Sequence, residues 1–219
     1  MYKRVIKRLM DLILSSVAIV ALALPMLVIA LAITIDDPGP VLFKQKRVGQ
    51  KKNGEITYFR IWKFRSMKMS TPHDTPTHLL ANPEQYITRV GRFIRKMSLD
   101  ELPQLYQVFT AKLSMIGPRP ALWSQEDLIA EREKYGANDV KPGITGWAQI
   151  NGRDELAIDV KARFDGEYAA ALNAGRFQGF CMDVKCFFGT VVSVLRSDGV
   201  VEGGTGEVTK QVERELAKK

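Results

Sequence analysis

The feature that most constrains the fold of this chain is a run of apolar residues near its N-terminus. Residues 12–35 contain no charged side chain over 24 consecutive positions. A helix rises about 1.5 Å per residue, so about 20 such residues cover the roughly 30 Å hydrocarbon core of a bilayer. A cleaved signal peptide has a shorter apolar region and fits this run poorly. The run therefore predicts a helix that inserts into a membrane.

The path of this helix through the membrane is open to two interpretations. Pro25 lies near its middle, where proline removes one backbone hydrogen bond and favours a kink. Positive charge flanks both ends, and the positive-inside rule assigns such flanks to the cytoplasm. The flanking cations are Lys3, Arg4, Lys7 and Arg8 before the run and Lys44, Lys46, Arg47, Lys51 and Lys52 after it. A re-entrant helix broken near Pro25 satisfies both observations, whereas a spanning helix also tolerates proline and stays an alternative.

The rest of the sequence predicts a mainly helical α/β (α+β) domain behind the membrane segment. β-rich runs at residues 41–48 and 55–64 flank Asn53-Gly54, which is a good signal for a hairpin. Helical patterns follow, and some of them suit a membrane interface. We therefore divide the chain into a membrane segment at 1–38, a compact domain at 39–208 and a charged tail at 209–219.

Charge and composition narrow the classes of function. The net charge of +8 and the pI of about 9.5 favour anionic partners such as phosphorylated ligands or an anionic membrane surface. The basic residues are spread along the chain without a recognition motif, which argues against nucleic acid. Two cysteines, Cys181 and Cys186, and two histidines, His73 and His78, argue against a disulfide framework, a His-based zinc site and a Ser-His triad.

Two adjacent acids, Asp100 and Glu101, stand at the start of a predicted helix. Such a position favours negative charge and lies near where a phosphate can bind. Ser98 and Glu101 match the capping box S-x-x-E. If Ser98 is the N-cap, Pro103 breaks a backbone bond inside the helix; if Asp100 is the N-cap, Pro103 falls in the tolerated first turn. Plain helix capping is the competing interpretation of these acids.

Four cations are candidates for phosphate contacts. Arg119 lies in a rigid Pro-Arg-Pro turn, and an arginine held in this way suits bidentate capture of phosphate. Arg95 belongs to a row of arginines along one side of a predicted helix at 83–96. Lys63 lies near the end of the second predicted strand, and Arg153 closes a glycine-rich stretch. For Lys63, Arg95 and Arg153, an ordinary salt bridge is a competing role.

The glycine-rich stretch begins at Lys141 and could form a nest of backbone N–H groups that binds an anion. It matches neither the dinucleotide fingerprint nor the phosphate-loop pattern. The candidate loop residues are Pro142, Gly143, Thr145 and Gly146.

Three dense motifs stand together behind the membrane segment. They are Lys63-Phe64-Arg65-Ser66-Met67, the stretch 98–105 with Gly117-Pro118-Arg119-Pro120, and the stretch 141–146 with Asn151-Gly152-Arg153. From about residue 1 to about residue 208 the chain resembles the bacterial sugar transferase family, the monotopic phosphoglycosyl transferases, in its minimal single-domain form. The motifs are long and occur in the order that the family has.

The resemblance implies an activity and roles for the residues. Such enzymes move a sugar 1-phosphate from a UDP-sugar to undecaprenyl phosphate and release UMP, using Mg²⁺. It makes Asp100 the covalent nucleophile and a metal ligand, and it gives Glu101 a role in metal or proton handling. It also implies a re-entrant helix broken by a Ser-Pro pair, and this chain has Leu24-Pro25 at that position.

The resemblance further implies a place and partners for the protein. We expect it in the bacterial inner membrane, with its catalytic domain on the cytoplasmic side, at the first membrane step of glycoconjugate assembly. The minimal members favour an N-acetylated amino sugar in the donor, and homo-oligomers are possible. The competing hypothesis is a non-enzymatic, membrane-anchored module that binds anionic lipid or a partner protein, and it leaves the acid pair and the Pro-Arg-Pro turn as coincidences.

Overall fold

The computed structural model describes residues 2–71, 83–152 and 155–196. Both histidines, Arg153 and the predicted tail at 209–219 lie outside the described residues. The helices are α1 (Lys7–Asp36), α2 (Arg89–Lys96), α3 (Gln104–Phe109), α4 (Glu126–Lys134), α5 (Trp147–Ile150), α6 (Ile158–Ala174) and α7 (Arg176–Arg196). The strands are β1 (Leu42–Val48), β2 (Tyr58–Phe64), β3 (Ser114–Ile116) and β4 (Gly143–Thr145). The mainly helical α/β fold is therefore confirmed.

The apolar run forms the long helix α1, which follows a π-helical turn at Tyr2–Ile6. It is long and apolar enough to cross a membrane. The helix is continuous and holds Pro25 inside it, so the predicted break near Pro25 does not interrupt it. Proline removes only one backbone N–H, and apolar helices tolerate that loss.

One side of α1 packs against the rest of the protein in its first turns and again in its second half. The residues buried on this side are Lys7, Asp11, Ser15, Met26, Ile29 and Ile33. The other sides expose large apolar side chains, with Val20 at 78% and Leu24 at 70% exposure. The helix therefore presents an apolar surface outwards while one narrow face holds the globular part.

Both ends of α1 bind to the same globular part. Near its start, the Arg8 guanidinium donates to the carbonyl oxygens of Val108 and Phe109, at 2.7 and 2.6 Å. At its end, Asp36 Oδ2 accepts a hydrogen bond of 2.9 Å from the backbone N–H of Val90, in the first turn of α2. Because the first and last turns are both tied down, α1 does not lead the chain away from the domain.

The predicted hairpin is confirmed. Strands β1 and β2 pair antiparallel, from Leu42 opposite Phe64 to Val48 opposite Tyr58. The backbone exchanges two further hydrogen bonds of 2.9 Å between Lys52 and Glu55. The two residues between them, Asn53 and Gly54, have positive φ angles of 51° and 84°, as a tight Asn-Gly hairpin turn requires.

A second, smaller sheet joins two distant motifs. Strands β3 and β4 are parallel, with Ser114 opposite Gly143 and Ile116 opposite Thr145. The largest buried side chain behind them is Tyr168 of α6, whose hydroxyl donates to the carbonyl of Ile116 at 3.0 Å. This packing fixes the Pro-Arg-Pro turn, which follows β3, beside the glycine-rich stretch that contains β4.

Candidate functional site

The acid pair lies in a single 3-10 turn, Leu99–Glu101, between α2 and α3. Ser98 adopts a left-handed conformation with φ of 54°, and its side chain makes no capping hydrogen bond. The predicted capping box is therefore wrong, because the chain uses Ser98 to reverse direction after α2. Pro103 immediately precedes α3 as its N-cap residue, where proline costs no helical hydrogen bond.

The turn that carries the acids rests on the membrane helix. Leu99 and Leu102, which flank the acids, pack in a cluster with Met26 and Ile33 of α1 and with Ile94 of α2. Burial of apolar side chains stabilises such a contact. The candidate site is thus built directly against α1.

Lys63 links the two acids. Its ammonium lies 3.3 Å from Asp100 Oδ2 and 2.8 Å from Glu101 Oε1. The alternation of β2 directs Lys63 towards the acids while its neighbour Trp62 points to the opposite face, where it meets Lys44. The structure therefore brings Lys63, Asp100 and Glu101 together, and the role of Lys63 as a phosphate ligand stays a prediction.

Arg119 binds the second acid through two bonds. Its Nη2 donates to Glu101 Oε1 at 2.6 Å and its Nη1 donates to Glu101 Oε2 at 3.3 Å. This paired geometry is the strong form of an arginine–carboxylate interaction. Glu101 therefore orients both Lys63 and Arg119 beside Asp100.

The two acids differ in their electrostatic surroundings. Burial raises the pKa of Asp100, Glu101 raises it further, and Lys63 and Arg119 oppose both effects. Burial alone would also raise the pKa of Glu101, but the charges and hydrogen bonds of Arg119 and Lys63 hold it well below its usual range. Glu101 is thus a permanent anion within an ion-pair network, whereas Asp100 keeps a more basic carboxylate.

The other predicted phosphate ligands are placed less directly. Arg95, at the end of α2, is partly buried. Its burial lowers its pKa, and the charge of Asp100 acts in the opposite direction. Arg95 is therefore within electrostatic reach of the nucleophile candidate. Arg153 lies outside the described residues, and its role stays a prediction.

The glycine-rich loop lies directly against the Pro-Arg-Pro turn. The N–H of Gly143 donates to Pro118 O at 3.0 Å, and the N–H of Gly117 donates to Thr145 O at 2.7 Å. A Cβ atom on Gly143 would lie 2.1 Å from the Gly117 nitrogen, and one on Gly146 would lie 2.2 Å from the Gly117 oxygen. Glycine is required because the two backbones approach so closely.

This packing changes the interpretation of the predicted nest. The N–H of Gly143 is already bonded within the protein, so it is not open to a phosphate. The hydroxyl of Thr145 lies 2.8 Å from that of Thr190 in α7. The loop supports Arg119 from behind, and direct nucleotide contacts by Pro142, Gly143, Thr145 and Gly146 stay a prediction.

A buried ion pair that the sequence analysis did not assign holds the same turn. Arg132 of α4 donates to Asp165 Oδ2 from Nε at 2.8 Å and from Nη2 at 2.5 Å. Its Nη2 also donates to the carbonyl oxygen of Arg119 at 2.9 Å. Both side chains are almost fully buried. No local signal distinguishes these residues from the other charged residues of α4 and α6, because they meet only in the folded chain.

The site offers few ligands for a metal ion. In residues 2–71, 83–152 and 155–196, no group of three or more His, Cys, Asp or Glu side chains could hold one. The carboxylates at the site are those of Asp100 and Glu101, and Glu101 is engaged by two cations. Mg²⁺ often binds through one or two carboxylates together with substrate phosphates and water. The Asp100 carboxylate fits that pattern.

Together these groups can carry out group transfer to a carboxylate. A buried basic carboxylate stands beside an ordered cluster of cations, which can neutralise a diphosphate while the carboxylate attacks phosphorus. The cluster contains no histidine among the described residues, and an ionised carboxylate needs no separate base.

Comparison of the sequence with known proteins matches the chain to a family. The family model for bacterial sugar transferases matches residues 2–197. A UDP-glucose:undecaprenyl-phosphate glucose-1-phosphate transferase of Escherichia coli (strain K12) is 37% identical over 201 residues, which are 86% of this chain and 40% of that protein. The uncharacterized sugar transferase EpsL of Bacillus subtilis (strain 168) is 36% identical over 207 residues, covering 94% of this chain and 95% of that protein.

A third relative carries a different sugar in its name. The UDP-N-acetylgalactosamine-undecaprenyl-phosphate N-acetylgalactosaminephosphotransferase of Aeromonas hydrophila is 35% identical over 89% of this chain and 44% of its own length. This chain thus spans less than half the length of the Escherichia and Aeromonas proteins, whereas it spans nearly all of the Bacillus protein. Given the match over residues 2–197 and these relatives, the chain belongs to the bacterial sugar transferase family.

Proposed function

We propose that this protein transfers a sugar 1-phosphate from a UDP-sugar to undecaprenyl phosphate, through a covalent intermediate on Asp100. The observation that carries the proposal is the contrast between the two acids. Glu101 is held by Lys63 and Arg119 at 2.8 and 2.6 Å, while burial leaves Asp100 more basic than an ordinary aspartate. The names of the relatives support the same reaction class.

The reaction has two displacements at the same phosphorus. In the first, a carboxylate oxygen of Asp100 forms a bond to the sugar-bearing phosphorus, the bond from that phosphorus to the bridging oxygen breaks, and UMP leaves with the bridging oxygen. In the second, a phosphate oxygen of the lipid attacks the same phosphorus, and Asp100 leaves as a carboxylate. Covalent catalysis of this kind lets a soluble donor and a lipid acceptor use one site in turn.

The cations beside Asp100 have a defined task in both steps. Lys63 and Arg119 lie where negative charge on the transferred phosphoryl group and on the leaving phosphate can be neutralised. Glu101 fixes their directions before substrate arrives, so little reorganisation is needed during the reaction. Mg²⁺, with Asp100 as its protein ligand, would supply further neutralisation of the diphosphate.

The membrane helix supports a lipid acceptor. The leucines on either side of the acid pair pack on α1, so the site lies beside the apolar surface that would enter the bilayer. Both ends of α1 bind the one domain, which fits a helix that enters and leaves on the same face of the inner membrane, with the catalytic domain in the cytoplasm. A spanning helix would place its first and last turns on opposite sides of the bilayer, where one domain could not hold both.

The identity of the sugar stays a prediction. The relatives are named for glucose, for galactose and for N-acetylgalactosamine, so they include neutral hexoses and an N-acetylated sugar. An N-acetylated donor remains our expectation. UMP release measured with a panel of UDP-sugars tests it directly.

Asp100→Asn tests the mechanism, because an amide cannot attack as the carboxylate does. We expect the wild-type protein, given UDP-sugar and Mg²⁺ without lipid, to gain the mass of one sugar phosphate. Asp100→Asn should gain no such mass and release no UMP, measured by intact mass spectrometry and by UMP assay in detergent micelles.

The matched control is Asp159→Asn, which changes an exposed aspartate at the start of α6 and should leave both signals unchanged. Near-normal UMP release from Asp100→Asn would overturn the assignment of the nucleophile. An unmodified wild-type protein that also releases no UMP would favour the non-enzymatic binding module instead.

A further inference from the structure

The outer face of the hairpin forms a basic and aromatic surface. In the β1–β2 register, Lys44 lies opposite Trp62 and Lys46 lies opposite Arg60, so these side chains share one face. Tyr58 extends the same face at the start of β2. Lys112 and Trp123 complete it from outside the hairpin. We call this set of seven residues the hairpin face.

The cations and rings of the hairpin face are in direct contact. The Lys46 ammonium lies 4.6 Å from the ring centre of Tyr58 and 5.2 Å from that of Trp123. The ammonium groups of Lys44 and Lys112 lie 5.6 and 6.0 Å from the ring centre of Trp62. Cation–π contacts of this kind hold the lysines on the surface in a fixed arrangement.

The hairpin face carries positive charge that nothing in the described chain neutralises. Strands β1 and β2 contain five cations and no acid. None of the four cations Lys44, Lys46, Arg60 and Lys112 forms an ion pair with any residue in the described ranges. All four are exposed. A surface of this charge is complementary to an anionic partner.

The hairpin face is continuous with the start of the membrane helix. Arg8 of α1 holds the C-terminal carbonyl oxygens of α3, and Lys112 follows α3 by three residues. Gln107 of α3 in turn accepts from the N–H of Trp62 at 2.8 Å and donates to the carbonyl of Arg60 at 2.7 Å. Tyr106 and Phe109 expose their rings on α3, the helix that contacts both regions.

We propose that the hairpin face docks on anionic phospholipid headgroups of the membrane that holds α1. From α1 to the hairpin face, the types of exposed residue follow the order found at a membrane interface. First come the apolar residues of α1 and the rings of α3, and then tryptophan and tyrosine with lysines at headgroup level. Lysines near an anionic leaflet each add to membrane affinity. The inference rests on the membrane placement of α1 proposed above.

A lipid surface fits the hairpin face better than a nucleic acid does. Single-stranded nucleic acid needs open ring faces on which its bases stack. Here the rings of Tyr58, Trp62 and Trp123 already carry lysine ammonium groups. The surface therefore offers fixed positive charge rather than stacking platforms, and phosphate headgroups use that charge without needing the rings.

Tryptophan fluorescence in nanodiscs tests this docking without any turnover. The full-length protein is placed in nanodiscs of phosphatidylcholine alone or with added phosphatidylglycerol, each doped with a lipid that bears a spin label at its headgroup. We expect stronger quenching of Trp62 and Trp123 with phosphatidylglycerol, reversed by high salt. Lys44→Gln with Lys46→Gln should lower the equilibrium constant for docking by about fivefold per lysine.

The matched control removes two exposed charges elsewhere, by Lys134→Gln with Arg163→Gln, and should quench like the wild type. Lys44→Arg with Lys46→Arg should restore quenching, because it keeps the charge.

Equal quenching with and without phosphatidylglycerol would overturn the proposal. Quenching of the Lys44→Gln, Lys46→Gln protein that equals that of the wild type would also overturn it. If the Lys44→Gln, Lys46→Gln protein bound UDP-sugar more weakly but was quenched like the wild type, the proposal would also be contradicted, because the hairpin face would then bind the soluble donor. A protein that enters neither kind of nanodisc would instead contradict the membrane placement of α1.

Discussion

At the scale of single residues, Asp100 and Glu101 show how neighbours in sequence acquire different chemistry. Glu101 receives Lys63 and both terminal nitrogens of Arg119, so the charge on its carboxylate is stabilised. Asp100 shares Lys63 at the longer distance of 3.3 Å and is buried in the same place. Since the two environments shift the two pKa values in opposite directions, one acid suits the work of positioning and the other suits attack.

This difference predicts the pH dependence of the reaction. Asp100 must be ionised to attack, and burial raises its pKa, so activity should be lost on acidification at a higher pH than an ordinary aspartate would give. Lys63 lowers the pKa of Asp100. In Lys63→Gln that opposing effect is gone, so the acid limb of kcat/KM should move to still higher pH, measured as UMP release across a pH series.

The same variant should also be slower at every pH, by about 100-fold, because a donor to developing charge is lost. Lys134→Gln is the control, since that lysine is exposed on α4 and pairs with Glu131. Its pH profile should match the wild type. A shift of the acid limb of Lys63→Gln towards lower pH would contradict the electrostatic argument.

At the scale of the elements, the site depends on contacts between helices and strands that are remote in sequence. Two hydrogen bonds hold the Pro-Arg-Pro turn. The N–H of Gly143 in β4 donates to the carbonyl oxygen of Pro118, and the guanidinium of Arg132 in α4 donates to that of Arg119. The pair of Arg132 with Asp165 also ties α4 to α6. Arg132 is therefore a positioning residue, since it acts on the site only through the backbone of Arg119.

Asp165→Asn should destabilise this arrangement strongly. Burial raises the pKa of Asp165 and Arg132 opposes that effect, so the pair compensates for burial of both charges. Removing the carboxylate leaves Arg132 buried without a counter-charge, which costs about 3–5 kcal/mol. We expect a clearly lower melting temperature of the detergent-solubilised protein, and a lower kcat where the protein remains folded.

An exposed pair on the same helix provides the comparison. Arg163 lies 3.9 Å from Glu167, and these side chains are 52% and 40% exposed. Arg163→Gln should change the free energy of unfolding by no more than about 0.5 kcal/mol. If Asp165→Asn melted like Arg163→Gln, the buried pair would have no structural role in holding the turn.

At the scale of the whole molecule, α1 is both the membrane element and part of the catalytic framework. Its first turns bind α3 and its last turn binds α2, while the acid pair lies between those two helices. Removing α1 would therefore expose apolar residues on both sides of the site. The membrane segment and the catalytic domain form one packed structure rather than an anchor and a separate head.

This arrangement predicts that the N-terminus and the domain lie on one side of the membrane. Two variants test this, each in a protein whose half-buried Cys181 is changed to serine. One variant has a cysteine in place of Arg4, and the other has a cysteine in place of Lys134 on α4. In intact cells, a membrane-impermeant maleimide should label neither cysteine. In inverted inner-membrane vesicles, it should label both.

Cysteine at Lys134 reports the side of the domain and serves as the internal control. Buried Cys186 should stay unlabelled until the protein is denatured. Labelling of the Arg4 cysteine in intact cells, with the Lys134 cysteine still protected, would establish a spanning helix.

Much of the molecule follows from local sequence patterns. The uncharged run predicted α1, and the Asn-Gly pair predicted the hairpin turn. The rigid Pro-Arg-Pro turn indicated Arg119, the position of Lys63 near the end of a strand made it a candidate, and the family resemblance gave Asp100 its role. These signals are local because helix and strand periodicity and turn geometry depend on a few neighbouring residues. The capping box that failed was also a local expectation, since Ser98 looked like a cap but reverses the chain. Pro25 lies inside a continuous helix, and the re-entrant path of that helix stays a prediction.

Only the tertiary structure decided which groups meet. Lys63 reaches Asp100 across 37 residues of sequence, and Arg132 reaches Asp165 across 33. The glycines of the 141–146 stretch are needed for close packing on Gly117, although in the sequence they resembled an anion-binding nest. The physical reason is that a side chain's partners, burial and pKa are set by atoms brought near it through packing, and no pattern of neighbouring residues encodes that distance.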